Sequence, residues 1–254
     1  MIVKSYKTHK IRVGDDLLKI LDKYLPPLSE NSVVAITSKI ISITQGDVVK
    51  NDSLISKENL IKKEADFYIE SDVPTPYGKI FLTRKNGHIV FTAGIDESNA
   101  DGDFVLWPRN LQDVTNKIWE YLRKKNNIKN LGIIITDSRI IPVRTGIVGF
   151  CLSWCGFEPT NSFIGKNDIF GREIMVTNVS VIESLATSAT VVMGETNEQT
   201  PLAIISDIPF VKFQDRIPNR EELDSVIWPI EKDMYGKLLT AIKWKKGGAE
   251  NNLE

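Results

Sequence analysis

The stretch GIIITDSRIIPVRTG, residues 132–146, decides how this chain folds. Its first half is apolar and β-branched, as expected of a strand buried in a sheet, and Asp137 follows that run directly. A carboxylate at the carboxyl end of a strand, beside a small polar residue such as Ser138, lies at the rim of the sheet, where a ligand can approach. The stretch therefore predicts a sheet with a polar site at one edge.

Two further apolar runs end in the same way. TAGIDESNADGD (residues 92–103) delivers Asp96, and VVMGETNEQTP (residues 191–201) delivers Glu195. With Asp137, these carboxylates are hard oxygen donors of the kind that Mg²⁺ or Mn²⁺ requires. The three ends together predict one site for a divalent metal and a phosphate group, which would suit a nucleoside triphosphate.

A simpler interpretation applies to each carboxylate taken alone. Asp and Asn before Gly or Ser are common in turns and helix caps, so any one of the three also fits a structural role. Carboxylate spacing does not separate a kinase, a ligase and a phosphatase. The sequence has no G-x-x-x-x-G-K-[ST] loop, which argues against an ordinary P-loop nucleotide enzyme.

Composition restricts the partners. The 254 residues are 42% apolar and 26% charged, which is typical of a globular protein with a substantial core. Because 32 basic and 33 acidic residues nearly cancel, no long-range field favours nucleic acid or an anionic membrane. No apolar stretch reaches the roughly 18 residues of a membrane span, and the amino terminus lacks a signal-peptide core, so we expect a cytoplasmic protein without a membrane partner.

The cysteines and histidines do not indicate zinc. Cys151 and Cys155 lie in the apolar stretch GFCLSWCGF without a second ligand pair, so buried free thiols are expected. His9 and His88 lie far apart in sequence and outside any H-x-x-x-H pattern. Proton transfer by either histidine stays open.

The pattern of elements predicts a mixed α/β (α+β) fold. We expect helices at Gly14–Leu25, Leu111–Lys125 and Val179–Val192, strands at Ser32–Ile43, Leu131–Asp137 and Leu202–Ile208, and a hairpin at Lys79–Thr92 turning at Asn86-Gly87. Residues 51–63 are expected to be, at least in part, a charged surface connection. The chain is interpreted as one catalytic unit over 1–244, with a smaller subdomain at about 147–195 and a disordered tail at 245–254.

The chain resembles the family of coenzyme F-420:γ-glutamyl ligases, which add L-glutamate to a carboxylate of a deazaflavin precursor. The motifs that carry the resemblance follow one another in the family order: GDDLLKIL from Gly14, VVAITSKIISITQGDVV from Val33, AGIDESN from Ala93, ITDSRIIPVRTGIVG from Ile135, GKNDIFGREIMVT from Gly165 and MGETNEQTP from Met193. They span nearly the whole chain, with mixed sheets and a smaller subdomain expected for such a ligase-like fold.

The resemblance implies a GTP-dependent (or ATP-dependent) amide ligase that needs Mg²⁺ or Mn²⁺ and forms a homodimer. The residues that match the family's metal ligands are Asp96, Asp137, Ser138 and Glu195. The residues that match its nucleotide contacts are Thr8, His9, Lys10, Ile11, Ser38, Lys39, Asn99, Gly194, Thr196, Asn197, Glu198, Gln199, Thr200 and Pro201. Asp96 and Asp137 would also be catalytic, because the metal carries most of the catalysis.

Two departures from the family pattern bear on substrate choice. Where the family often has S-K-A-E-G, residues 42–46 read SITQG, so a lysine near the nucleotide is replaced by Ile43 and Lys39 is expected to compensate. Residues 139–146, RIIPVRTG, differ from the deazaflavin pattern and resemble the branch proposed to act in folate metabolism. The predicted acceptor is therefore a pterin-type (tetrahydrofolate) or deazaflavin-type carboxylate.

Arg144 is the cation that we assign to catalysis and acceptor binding, since a guanidinium grips a carboxylate or phosphate with two parallel hydrogen bonds. Arg172 is a second candidate, and a surface salt bridge is the alternative for both. The proposed reaction passes through an acyl phosphate that the amino group of glutamate attacks. A non-catalytic nucleotide-binding regulatory module and a metal-dependent phosphohydrolase remain as alternatives from other classes.

Overall fold

The computed structural model describes residues 1–52, 55–71 and 79–248. The strands in these residues are β1 (Ile2–Tyr6), β2 (Ser32–Thr37), β3 (Val48–Val49), β4 (Phe67–Glu70), β5 (Phe81–Lys85), β6 (His88–Phe91), β7 (Phe104–Val105), β8 (Leu131–Ile140), β9 (Ile147–Cys155), β10 (Thr160–Ser162), β11 (Asn178–Ser180), β12 (Leu202–Ser206) and β13 (Lys245–Lys246). The α-helices are α1 (Leu17–Tyr24), α2 (Ser38–Gln45), α3 (Lys57–Glu64), α4 (Leu111–Asn126), α5 (Val181–Met193), α6 (Arg220–Ser225) and α7 (Gly236–Ala241), and short 3-10 helices lie at Thr92–Gly94 and Ile230–Lys232.

A five-stranded sheet forms the centre of the molecule, in the order β1-β12-β2-β8-β9. β2 and β8 are parallel, and the other neighbours are antiparallel. The parallel pair aligns Thr37 with Thr136, so both strands reach the same edge of the sheet. The predicted mixed sheet is confirmed, and the edge where the parallel pair ends is where the polar residues gather.

Both faces of the central sheet are covered by helices. Val33, Ala35 and Ile134 pack against α5 on one face, whereas Val34 and Ile36 pack against α1, α2 and α4 on the other. Because successive side chains of a strand point to opposite faces, a strand buried on both sides has to be apolar throughout. That requirement explains the unbroken apolar runs of β2 and β8.

A smaller four-stranded antiparallel sheet, β13-β4-β5-β6, lies beside the central layers. α3 packs on it through Leu60 and Ile61, which meet Phe81 in a second apolar core. Asn86 and Gly87 turn the β5–β6 hairpin with positive φ angles of 50° and 78°, as the Asn-Gly pair predicts. The hairpin prediction is confirmed.

Two helix and strand predictions need correction. The strand predicted for Ser32–Ile43 ends at Thr37, and α2 follows it, because a short β-branched run does not distinguish a buried strand from a buried helix. The helix predicted from Gly14 begins only at Leu17, since Asp16 is its N-cap and accepts backbone hydrogen bonds from Leu18 and Lys19. α4 and α5 occur within two residues of their predicted bounds.

Two segments that were not predicted to form helix or strand contain regular structure. In the charged connection 51–63, α3 begins at Lys57, and residues 53–54 lie outside the described residues. Lys245 and Lys246, placed in a disordered tail by the sequence, pair with Tyr68 and Phe67 as strand β13, while 249–254 lie outside the described residues. The hydrogen-bonding partner on β4, which sequence alone does not reveal, supplies this order.

The range 147–195, predicted as a smaller subdomain, contains elements of two kinds. β9 and α5 belong to the central layers, and β10 and β11 pair only with each other among the described strands. Cys151 and Cys155 are buried free thiols, as predicted. No helix in the described parts of the chain combines the length and apolarity needed to cross a membrane.

An aromatic cluster joins the small sheet to the central one. The ring of His88 on β6 meets Trp107 and Phe150 edge-on, with centroid distances of 5.9 and 5.2 Å. Burial, together with the nearby Arg139 guanidinium, lowers the pKa of His88 from 6.5 to about 4. The imidazole is therefore neutral at physiological pH and serves as a packing group.

This depressed pKa predicts acid lability. Between pH 6.5 and 4 the unfolded chain binds a proton at His88 that the folded chain does not. The free energy of unfolding is therefore highest above pH 6.5 and decreases as the pH falls to 4, by a total on the order of 3 kcal/mol. His88→Phe keeps a ring in the cluster and removes the titration. Urea unfolding across this pH range should show the wild type losing more stability than the variant. Equal losses would contradict a depressed His88 pKa.

Candidate functional site

A cavity of about 480 Å³ opens at the edge where β2 and β8 end. The predicted metal and nucleotide residues that line it are Thr8, His9, Lys10, Ile11, Ser38, Lys39, Asp96, Asn99, Asp137, Ser138, Gly194, Glu195, Thr196, Asn197, Glu198, Gln199, Thr200 and Pro201. These residues come from five separate segments of the chain. The fold therefore brings the predicted set together, and what each residue binds stays a prediction.

β8 carries Asp137 and Ser138 into this cavity. The strand is fully buried up to Thr136 and then leaves the core. At this point the pairing with β9 shifts between Ile135 and Thr136, leaving Leu152 of β9 as an extra residue. Such a bulge bends a strand and re-aims the next side chains, as bulges near functional sites commonly do.

Asp137 is held on both carboxylate oxygens. The indole N–H of Trp107 donates to Oδ2 at 2.5 Å, and the backbone N–H of Ser138 donates to Oδ1 at 2.8 Å. Burial raises the pKa of Asp137 to about 6, with Asp96 adding to the effect, although both hydrogen bonds and Lys39 oppose it. A carboxylate in this setting gains from any cation that approaches it.

Trp107 reaches Asp137 across Gly94. A Cβ atom on Gly94 would lie 2.1 Å from the indole nitrogen, so only glycine leaves room for the ring. Gly94 also has a φ of +71°, which a larger residue adopts only with strain. Trp107 therefore positions a carboxylate in addition to packing against His88 and Phe150.

Asp96 pairs with a cation from the neighbouring helix. Lys39 Nζ lies 2.5 Å from Asp96 Oδ2 and also donates to the carbonyl and hydroxyl oxygens of Ser98 at 2.9 Å. Burial would raise the pKa of Asp96, but the charge and hydrogen bond of Lys39 outweigh it and lower the pKa below its usual value. This end of the cavity thus carries a compensated charge.

Glu195 enters the cavity from a helix end. It follows Gly194 and Met193, the last residue of α5, as the helix predicted for Val179–Val192 implies, so a helix and not a strand delivers this carboxylate. Ser138 Oγ donates to Glu195 Oε2 at 3.4 Å, and burial raises the pKa of the Glu195 carboxyl. In the apolar run that precedes it, Met193 is buried in the core, whereas Val191 and Val192 are exposed.

The donor chemistry of the site fits a hard divalent cation. Three carboxylates and one hydroxyl line one cavity, and oxygen ligands are what Mg²⁺ and Mn²⁺ prefer. The carboxylates are not gathered into a ready-made cluster: within the described ranges, no three His, Cys, Asp or Glu side chains already form a metal-binding group. A cation bound there would take the place that the Lys39 ammonium holds beside Asp96.

The amino-terminal end of α2 faces the same cavity. Ser38 and Lys39 are the first two residues of this helix, and Thr37 before them forms no side-chain cap. Free backbone N–H groups and the helix dipole favour an anion at such an end. Ile43, which replaces the expected lysine, lines the cavity one turn beyond Lys39 on the same face of the helix. Lys39 thus places a cation in the same cavity as the replaced position.

The loop 194–201 forms the opposite wall. The carbonyl oxygen of Gln199 accepts a hydrogen bond from the backbone N–H of Thr8 at 2.8 Å. The carbonyl oxygen of Pro201 accepts one from the backbone N–H of Thr37 at 3.0 Å. The side-chain amide of Asn99 donates to the carbonyl of Thr196 at 2.7 Å. These contacts fix a polar loop against the sheet edge, where it can present backbone and side-chain groups to a ligand.

A second, smaller cavity of about 190 Å³ adjoins the first. Asp96, Asp137 and Ser138 line both cavities, so the carboxylates stand between them. The remaining lining residues are mostly apolar, together with one arginine: Val90, Phe91, Thr92, Gly94, Ile95, Trp107, Arg139, Ile140 and Ile147. The two spaces therefore share one polar boundary.

The predicted arginines lie elsewhere. Arg144 is exposed in the turn between β8 and β9 and lines neither cavity, and exposed Arg172, whose backbone donates to Asp168, does not line them either. Arg12 and Asp101 line the larger cavity although the sequence did not single them out. Their positions follow from tertiary contacts of two loops, which no motif marks.

Comparisons with known proteins identify the family of this chain. A family model described as F420-0:Gamma-glutamyl ligase matches residues 5–207. Similar proteins include the coenzyme F420:L-glutamate ligases of Methanocaldococcus jannaschii (32% identical over 82% of this chain and 88% of the relative), Methanococcus maripaludis strain C7 (30%, over 78% and 84%) and Methanosarcina mazei (27%, over 79% and 83%). Because the family model covers most of the chain and contains every segment that lines the larger cavity, this chain belongs to the F420-0:gamma-glutamyl ligase family.

Proposed function

We propose that this protein is a ligase that joins L-glutamate to an acceptor carboxylate, using GTP or ATP and a divalent metal. The observation that carries the proposal is the convergence of Asp96, Asp137 and Glu195 with the amino-terminal end of α2 in one cavity. A phosphate-bearing co-substrate needs both an anion-binding helix end and ligands for a counter-cation. Membership of the family and the names of its relatives support the same reaction.

The larger cavity would hold the nucleotide. Its volume of about 480 Å³ suits a ligand of that size, and the loop 194–201 offers polar groups for the base and ribose. Lys39 and the backbone N–H groups at the start of α2 would contact the phosphates. Among the described lining residues these groups form the cationic side of the cavity together with Lys10 and Arg12.

Asp96, Asp137, Ser138 and Glu195 would hold Mg²⁺ or Mn²⁺. The ion, when bound, neutralises phosphate oxygens during phosphoryl transfer. The hydrogen bonds from Trp107 and Ser138 fix the Asp137 carboxylate before any ligand arrives, so its orientation requires no further ordering.

The reaction proceeds in two transfers. The acceptor carboxylate attacks the γ-phosphorus, which gives an acyl phosphate and a nucleoside diphosphate. The amino nitrogen of glutamate then attacks the acyl carbon, so that the C–N bond forms while inorganic phosphate departs with the electrons of the C–O bond and the nitrogen loses a proton. Phosphorylation is needed because a carboxylate is a poor electrophile at neutral pH.

Two acceptors are supported by different observations. The relatives are coenzyme F420:L-glutamate ligases, which favours a deazaflavin-type acceptor. The segment 139–146 departs from the deazaflavin pattern, which favours a pterin-type acceptor such as tetrahydrofolate. We place the enzyme in the cytoplasm, where the proposed nucleotide is available, and its two buried free thiols are compatible with a reducing compartment.

Asp137→Asn tests the proposal. With an acceptor, glutamate, nucleotide and Mn²⁺, the wild type should yield an acceptor heavier by one glutamyl residue and an equal amount of nucleoside diphosphate, as read by mass spectrometry. The variant should lower kcat by about 100-fold or more, since it removes a ligand charge with little change of volume. Asp207→Asn, an isosteric change at an exposed aspartate outside both cavities, is the matched control.

Other products would identify the alternatives. Nucleotide hydrolysis that does not depend on glutamate would make the protein a metal-dependent phosphohydrolase. Tight nucleotide binding without turnover would make it a regulatory module. Comparison of a deazaflavin with tetrahydrofolate in the same assay selects the acceptor.

A homodimer is part of the proposal. Large apolar side chains are exposed along the segment from the end of β8 to β11, and they include Val143, Ile169, Phe170, Met175 and Val176. Phe170 is 89% exposed and Val176 is 84% exposed, which is unusual for clustered residues of a monomer. We infer that a second copy of the chain covers this segment.

Phe170→Asp combined with Val176→Asp should therefore shift the protein toward a monomer, because two charges would be buried in the interface without partners. Light scattering after size exclusion measures the mass directly. Met234→Asp, at a residue 98% exposed outside the segment, should leave the mass unchanged. A wild type that is monomeric at micromolar concentration would contradict the dimer.

A further inference from the structure

We propose that the smaller cavity is the binding site for L-glutamate and that Arg139 binds one of its carboxylates. This inference rests on the proposed ligase function and adds the residue and the space that select the amino-acid substrate. The cavity measures about 190 Å³ against about 480 Å³ for its neighbour. A single amino acid suits the smaller volume, whereas a nucleotide or a fused-ring acceptor requires more space.

The position of the cavity suits a reacting partner. Asp96, Asp137 and Ser138 line the smaller cavity on one side and the larger one on the other. A molecule in the smaller cavity is therefore separated from the proposed nucleotide only by these shared residues. The carboxylates of Asp96 and Asp137 would face the amino group of glutamate, and charge complementarity sets its orientation.

Arg139 is the cation of this cavity among the described residues that line it. Its guanidinium carbon lies 4.8 Å from the ring centroid of Phe150, which holds the side chain in place. Arg139 forms an ion pair with Glu183 at 3.7 Å, which is beyond hydrogen-bonding distance. A ligand carboxylate that accepts two hydrogen bonds from this guanidinium would make a shorter, bidentate contact.

The walls suit the carbon chain of glutamate. Val90, Phe91 and Ile147 add apolar surface to a cavity that also contains the two carboxylates and Arg139. A ligand with an ammonium group, a short methylene chain and a carboxylate matches this combination of acidic, apolar and basic surface. Ile147 is 49% exposed, so the mouth of the cavity is open to solvent.

The test measures three Michaelis constants separately. In Arg139→Gln the KM for glutamate should rise by about ten-fold or more, as expected for the loss of a charge-assisted pair, while the KM of the nucleotide changes by less than about two-fold. Arg139→Lys should recover part of the loss because it keeps the charge but not the bidentate geometry. Arg220→Gln, at an exposed arginine that pairs only with Asp224 among the described residues, should match the wild type.

A second variant tests the same cavity independently, so that the inference can be checked even if Arg139→Gln does not fold. Ile147→Trp at the open mouth should fill the cavity and raise the KM for glutamate without changing the nucleotide KM. If glutamate KM is unchanged in both variants, or if the acceptor KM rises instead, the cavity does not bind glutamate.

Binding without turnover separates this inference from the ligase assignment. Saturation-transfer NMR with L-glutamate and the wild type should give a signal that Arg139→Gln loses. This result would support the site even if no acceptor were glutamylated. A signal of equal strength in the variant, beside normal ligase activity of the wild type, would overturn the site and leave the ligase assignment intact.

Discussion

The parallel pairing of β2 with β8 is the constraint on which the site depends. It brings Thr37 and Thr136 to one edge of the sheet, so that α2 and the polar half of β8 begin side by side. Helices on both faces keep the pair apolar up to that edge and polar beyond it. The loop 194–201 is then bound to the same edge by backbone hydrogen bonds, which completes the cavity.

The carboxylates at this edge have partners of different charge. Lys39 compensates Asp96 directly, whereas Asp137 is stabilised by the Trp107 indole and a backbone N–H, neither of which carries a full charge. Burial raises the pKa of Asp137 to about 6, and these two hydrogen bonds offset that effect only in part. A divalent cation would relieve the carboxylates and free Lys39 for phosphate, so the proposed metal and nucleotide would favour each other's binding.

Sequence periodicity and turn chemistry predicted α1, α4, α5 and the hairpin, because these are local signals. The resemblance to the family predicted most of the residues that line the larger cavity. These sequence signals failed where the decisive contact is distant in sequence. The start of α2 was interpreted as strand, β13 was missed because its partner is β4, and no motif marked Trp107, which reaches Asp137 across Gly94. The role of Arg139 also depends on distant contacts, because only the fold shows that Arg139, and not Arg144, lines a cavity.

The central claim is that Asp96, Asp137 and Glu195 hold one divalent ion beside the nucleotide. Anomalous diffraction from crystals grown with Mn²⁺ and a non-hydrolysable nucleotide tests it most directly. We expect a manganese peak about 2.1 Å from oxygens of these three carboxylates, with the Lys39 ammonium moved from Asp96 to a phosphate oxygen. A peak bound only by the nucleotide, with the Lys39–Asp96 pair intact, would contradict it.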